Sequence, residues 1–314
     1  MIINVPDTTA TGVHMALVKA RHSVGVASSM VFTLLVVADL RNYDDVFNAC
    51  KDAGREHPSR IILITNGLSA SSRMDAEIHL GEEVPGEIIS LRFHGEMVNH
   101  RDSVVLALLL PDSPVVAWWP GKSPDKPGDD PIGALATRRI TDAMGASNPL
   151  RALETRARNY SPGDTDLTWT RLTPWRALLA AAVEQYPATI ADVTVTSAAN
   201  NASGMLLAAW LEDRLKCTVV RSESTTGLGI TQVRMNTSKG DITISREDGR
   251  MATFSAPGLP RRVVALRRRE LNALITEELR RIDVDDIFAA SMRCLVQRCE
   301  RPADPVGIVA KASG

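Results

Sequence analysis

Val31-Phe32-Thr33-Leu34-Leu35-Val36-Val37, followed after a helical stretch by Arg60-Ile61-Ile62-Leu63-Ile64-Thr65, decides the fold class. Both runs are short, apolar and rich in β-branched residues, as in a strand buried on both faces. Between them, Val46, Phe47 and Cys50 share one face at helical spacing, and Gly54 suits a helix terminator. A strand, a helix and a second strand in that order make a right-handed βαβ unit. The alternation extends in both directions. Thr8 or Thr9 caps a helix to about Ala20, and the near-apolar stretch 24–38 is read as a core strand rather than a membrane helix, because Ser28, Ser29 and Thr33 interrupt it. Downstream, strands are expected at 76–80, 87–93 and 115–118 with a helix at 96–109, giving a mixed sheet flanked by helices and an α/β fold class.

From Pro120 to Pro131 the chain reads Pro-Gly-Lys-Ser-Pro-Asp-Lys-Pro-Gly-Asp-Asp-Pro, too rich in breakers for a helix or strand, and is expected as an exposed loop. Polar, helix-prone sequence then runs to Asn159, and Ser161-Pro162-Gly163-Asp164 punctuates the chain near its middle. The expected organisation is an N-terminal α/β domain over 1–160, a C-terminal α+β domain over 161–297 and a disordered tail over 298–314. In the second half, Thr173 caps and Pro174 starts a helix to Val183, a strand follows at 190–196, and Ser203 caps a helix carrying Leu207, Trp210, Leu211 and Leu215. Turn signals at Ser238-Lys239-Gly240 and Asp248-Gly249 divide 219–265 into short hairpin strands. Two helices close the chain, the first bearing Leu271, Leu274, Ile275, Leu279 and Ile282 at helical spacing.

Composition narrows the function classes. At 314 residues the chain is long enough for two cores, and 44% hydrophobic with 23% charged residues is a globular balance. A formal net charge of -1 supplies no field for phosphate backbones or anionic lipid, which argues against nucleic-acid and membrane partners. Cys50, Cys217, Cys294 and Cys299 are scattered, unlike a disulfide framework, and no secretory cleavage pattern follows the first apolar stretch; a cytoplasmic location is expected.

The search for chemistry finds fragments. Gly121-Lys122-Ser123 ends like a phosphate-binding loop, but Val116 stands where the earlier glycine is needed and Pro124 where a helix should begin. Gly227-x-Gly229 precedes a strand rather than a helix and reads as a turn or bulge. No Gly-x-Ser-x-Gly elbow occurs, no histidine follows His100, and neither the histidines nor the cysteines have metal-ligand spacing, so no catalytic, cofactor or metal residues are assigned. Arg261, Arg262, Arg267, Arg268 and Arg269 form a basic cluster. A solvated face is its ordinary reading, although arginines before a helix oppose the macrodipole and would suit an acidic protein surface or a sugar phosphate. Trp118 and Trp119 are adjacent on a strand and must point to opposite faces. Either the sheet is covered on both sides, or one indole faces outward or lines a groove as a contact site.

Taken together, Glu56-His57-Pro58-Ser59-Arg60, Pro114-Val115-Val116-Ala117-Trp118-Trp119-Pro120-Gly121, Gly163-Asp164-Thr165-Asp166-Leu167 and Leu172-Thr173-Pro174-Trp175-Arg176, in order across both expected domains, resemble the OpcA family of glucose-6-phosphate dehydrogenase assembly proteins, and the resemblance spans most of residues 2–296. The resemblance implies a non-catalytic assembly factor and allosteric activator that binds glucose-6-phosphate dehydrogenase, promotes its active oligomer and supports NADPH production in the oxidative pentose phosphate pathway. The partner-binding candidates on these segments are Trp118, Trp119, His57, Arg60, Trp175 and Arg176. The rival reading is a sugar-phosphate-binding sensor or enzyme, with His57, Arg60 and nearby backbone amides of the first domain holding the ligand.

Overall fold

In the computed structural model, which describes residues 1–24, 30–81, 84–225, 229–246 and 248–301, the two opening runs lie side by side in parallel. The first half builds β1 (Ile2–Val5), α1 (Ala10–Val24), β2 (Thr33–Val37), α2 (Tyr43–Glu56), β3 (Ser59–Asn66), β4 (Arg73–Gly81), β5 (Val84–His94), α3 (Arg101–Leu106), β6 (Val115–Trp118), β7 (Arg138–Thr141), α4 (Pro149–Arg158) and β8 (Asp164–Asp166). The second builds α5 (Leu167–Arg171), α6 (Thr173–Gln185), β9 (Ile190–Ser197), α7 (Ala202–Leu215), β10 (Thr218–Glu223), β11 (Ile230–Thr237), β12 (Ile242–Ser245), β13 (Met251–Ser255), β14 (Arg262–Ala265), α8 (Leu271–Glu278) and α9 (Asp286–Glu300). Two mixed sheets flanked by helices result, in the orders β1-β4-β5-β3-β2-β6-β7-β8 and β10-β9-β11-β12-β13-β14.

In the first sheet β5, β3, β2, β6, β7 and β8 run parallel, and β4 and β1 add antiparallel pairs at one edge. Period-two geometry sorts the apolar runs between two cores. Leu34, Val36, Ile61, Leu63, Val116 and Trp118 face α2 and α8, whereas Leu35, Ile62, Ile64, Ala117 and Trp119 face the side covered by α1 and α3. A third core lies between the second sheet and helices that include α7 and α9. The segment after the mid-chain punctuation returns to the first sheet twice: β8 forms its edge strand, and Leu274, Ile275 and Leu279 of α8 cover the face shared with α2. Buried Arg138 on β7 pairs with Glu278 and donates to the carbonyl of Asp283, fastening that return.

Several local expectations change. α2 does not stop at Gly54: the helix continues to Glu56, and Pro58 then forces His57 out of the helical region, at φ -131° and ψ 85°. The helix expected over 96–109 is a 3-10 turn, Gly95–His100, followed by the short α3. Thr173 is not a cap, since Leu172 is already helical and carries the chain directly from α5 into α6. Asn201 rather than Ser203 caps α7, its Oδ1 accepting from the Gly204 amide at 2.7 Å. Arg298 to Glu300 continue α9, with Arg298 paired to Glu212, so this part of the expected tail is ordered. Residues 302–314, residues 25–29 of the apolar stretch and Gly227 of the Gly-x-Gly fragment lie outside the described residues.

Candidate functional site

Two of the four motif segments, at residues 163–167 and 172–176, lie where β8 passes into α5 and α6, and the other two lie on or beside the interior strands β3 and β6 of the first sheet. At the end of β6, Trp118 and Trp119 do point to opposite faces, but both are enclosed, with exposures of 0% and 2%. The reading in which one ring faces outward is corrected by the helices and loops that cover both sides. Over Trp119 lies the Pro/Gly loop: a side chain on Gly133 would fall 1.8 Å from the Pro127 carbonyl and 3.2 Å from the indole, so only glycine permits the approach. The same loop is tied down rather than fully exposed. Pro127 is buried, and Arg156 of α4 donates to Ser123.

Gly163-Asp164-Thr165-Asp166 forms the next layer. Asp166, 1% exposed, accepts from Thr141 Oγ1 at 2.6 Å and from the Ala143 amide at 3.0 Å, and caps α5 through the Thr168 amide at 2.8 Å. Arg139 pairs with Asp164, and Arg171 grips Asp142 in a bidentate pair at 2.6 and 2.8 Å. Burial pushes the carboxyls of Asp142 and Asp164 up from the usual carboxylate range, against the opposing pull of Arg171 and Arg139. The Arg156 guanidinium is lowered by the same desolvation. The cavity bordered by Thr141, Arg156, Tyr160, Asp164, Asp166 and Phe288 measures about 10 Å³, room for one water and no metabolite.

The remaining candidates diverge. His57 is half-buried and its Nε2 lies 3.1 Å from the Thr276 carbonyl, so that nitrogen donates toward α8. Arg60 points to the other side of the sheet. There it pairs with buried Glu87 and donates to the Leu108 carbonyl, while Arg21 of α1 completes the triad with Glu87 at 2.7 Å. His57 and Arg60 are close together in the motif and are not brought together on one surface. Trp175 is 2% exposed and carries the Arg246 guanidinium 5.2 Å from its ring centre. Arg176 stacks 3.5 Å over Trp169, whose indole donates to Asp285 at 2.8 Å, and burial lowers the Arg176 guanidinium.

Sequence reasoning missed Asp142, Asp166, Arg139, Arg156 and Arg171, which hold this boundary together. The signal was present as charged residues clustered between 138 and 171, but β7 and β8, at four and three residues, are too short for periodicity to reveal that they are buried. Among the described residues, no group of three His, Cys, Asp or Glu side chains is placed to hold a metal, and no helix is long and apolar enough to cross a membrane.

Fold and site define a two-sheet α/β protein whose motif side chains are engaged within the fold. The chain belongs to the OpcA family of glucose-6-phosphate dehydrogenase subunits: the family profile for the N-terminal domain of that subunit matches residues 50–158, and the profile for its C-terminal domain matches residues 162–292. No curated protein matches the chain. Among solved structures it is similar to KijD10, a 3-ketoreductase from Actinomadura kijaniata in complex with NADP, at 7% identity over 85% of this chain and 95% of that one, with a TM-score of 0.47. An oxidoreductase from Sinorhizobium meliloti (10% identity, 85% and 88% covered, TM-score 0.41) and the MviM dehydrogenase from Clostridium difficile (8%, 85% and 98%, 0.41) are similar at the same level. Likeness this distant carries nothing about activity or cofactor.

Proposed function

We propose that this chain is a non-catalytic assembly factor and allosteric activator that binds glucose-6-phosphate dehydrogenase and promotes its active oligomer, supporting NADPH production in the oxidative pentose phosphate pathway of the cytoplasm. The observation that carries the reading is the pair of family profiles, both named for a subunit of that enzyme, matching in order across residues 50–292. The boundary residues are consistent with it, because Arg139 pairs with Asp164 and Arg171 with Asp142, and the cavity beside them, at about 10 Å³, is too small for a substrate. A partner shifts an assembly equilibrium only by its differential affinity for the two states, so the chain acts by binding the active oligomer more tightly than the inactive form.

Of the six candidate contact residues, half-buried His57 and Arg176 have side-chain surface to offer a partner, whereas Trp118, Trp119, Arg60 and Trp175 contribute by fixing the backbone around them. Mixing the chain with glucose-6-phosphate dehydrogenase from the same organism, while oligomer mass and steady-state rates are measured together, tests the proposal. A larger oligomer with raised activity is expected; unchanged mass and rates overturn it.

A further inference from the structure

Outside that boundary, one group of side chains lacks a counter-charge among the described residues. Arg246, just after β12, is 7% exposed, and it donates through Nη1 to the Leu266 carbonyl at 3.0 Å and through Nη2 to the Ile230 carbonyl at 3.1 Å. Its Nε has no hydrogen-bond partner, and among the described residues no carboxylate stands within ion-pair distance of either Arg246 or Arg268. Asp248 is the acid whose field reaches Arg246; it is exposed and already accepts from the Arg250 and Met251 amides at 2.8 Å. A buried guanidinium satisfied only by neutral carbonyls is costly, since buried charges are ordinarily paired.

Two further donors converge beside it. A methyl group placed on Gly229 would lie 3.5 Å from Arg268 Nη2, 3.8 Å from Arg246 Nη2 and 3.8 Å from Asn201 Nδ2. Gly229 has φ +85° and no side chain, so no Cβ stands among these nitrogens. The Asn201 orientation is fixed by its cap, which turns Oδ1 to the Gly204 amide and leaves Nδ2 facing the two arginines. Behind Asn201 stands the positive end of the fourteen-residue α7, at the loop that follows the C-terminal end of β9 beside parallel β10. Ala198 holds the wall in place by donating to the Gly229 carbonyl at 2.9 Å.

We propose that Asn201, Gly229, Arg246 and Arg268 form a binding site for a phosphate monoester carried by a small metabolite. Two guanidiniums and a helix N-terminus match a dianion better than the single charge of a carboxylate. Trp175 backs the site by holding the plane of Arg246, which gives the Leu172-Thr173-Pro174-Trp175 segment a task other than partner contact. Burial first, and then the neighbouring Arg268 charge, lower the Arg246 guanidinium to about 10, the direction expected of a cation waiting for its anion.

The test uses the full chain, with inorganic phosphate, a hexose phosphate and a nucleoside monophosphate as probes at constant ionic strength set by chloride. Thermal melting and equilibrium dialysis are read together, because a ligand that binds only the native state raises the melting temperature. A saturable rise is expected for wild type, and a response to only one of the two esters supports the site and identifies the carrier. Asn201→Asp keeps the helix cap, as aspartate caps as well as asparagine, but sets a carboxylate against the two arginines. It should melt at or above the wild-type temperature without phosphate and bind phosphate at least about tenfold more weakly. Exposed Arg268→Ala should fold normally and also lose at least about tenfold in affinity. A wild type unresponsive to all three probes at about 10 mM, or undiminished binding in both variants, overturns the proposal.

Discussion

Trp118→Ala separates a core role from a contact role. Trp118 is fully enclosed between β6 and the layer that contains α2 and α8. Truncation removes roughly 150–200 Å² of buried apolar surface, which at about 25 cal/mol per Å² amounts to about 4–5 kcal/mol. That lies in the range of roughly 3–5 kcal/mol for buried tryptophan replaced by alanine. Trp118→Phe should cost far less, about 1 kcal/mol, because the indole N–H has no partner and its removal recovers part of the desolvation penalty of an unpaired donor. Urea unfolding of the isolated chain measures both losses. Binding to the dehydrogenase, measured at a temperature where each variant is folded, should change little beside the loss of about 2 kcal/mol or more that defines a hot spot. Wild-type stability in Trp118→Ala combined with loss of the complex would refute the reasoning from burial.

Three further outcomes follow from particular contacts. Glu87→Gln leaves Arg60 buried without its counter-charge and should cost about 3–5 kcal/mol in urea unfolding, while the double change Arg60→Met with Glu87→Leu should recover most of it. The backbone amide of Asp7, donating at 3.0 Å, with Arg73 and His94 nearby, holds the Asp75 carboxyl below its usual range. Its contribution is therefore present above the unfolded value of about 3.9 and lost as pH falls through the lower folded value; Asp75→Asn should flatten the acid limb of a melting-temperature profile. Burial pushes the Cys50 thiol well above its usual value, so mass spectrometry after alkylation at neutral pH should find Cys50 unlabelled until the chain is unfolded, with half-buried Cys217 and Cys299 modified first.

How legible the fold was depended on element length and on where contacts come from. The apolar runs of residues 31–37 and 60–65 announced the parallel pair, and residues 115–118 were bounded as the strand β6 itself, because a sheet covered on both faces needs hydrophobic side chains at every position. β7 and β8 escaped notice: Arg138, Arg139, Asp164 and Asp166 look like surface charge in the sequence, and only pairing across the fold takes them out of water. Trp118 and Trp119 show the same limit. Strand geometry gave their opposite directions, but whether a strand face meets water depends on helices supplied from elsewhere, including α8 from far along the chain. The arginine cluster was visible as composition, yet it resolves into different fates. Arg269 pairs with Glu277, Arg268 turns toward Gly229, and Arg246 was never in the cluster at all.

The return of α8 onto the first sheet also fixes when that sheet can be completed. Chains leave the ribosome amino end first, and β2, β3 and β6 emerge long before residues 271–278 are made. Until then the face carrying Leu34, Leu63 and Trp118 has α2 but lacks Leu274 and Ile275, and Arg138 has no Glu278 to meet. The amino-terminal half therefore leaves the exit tunnel as an apolar surface in need of shielding, and its closure is an event of the finished chain, set by a loop closure across more than half the sequence.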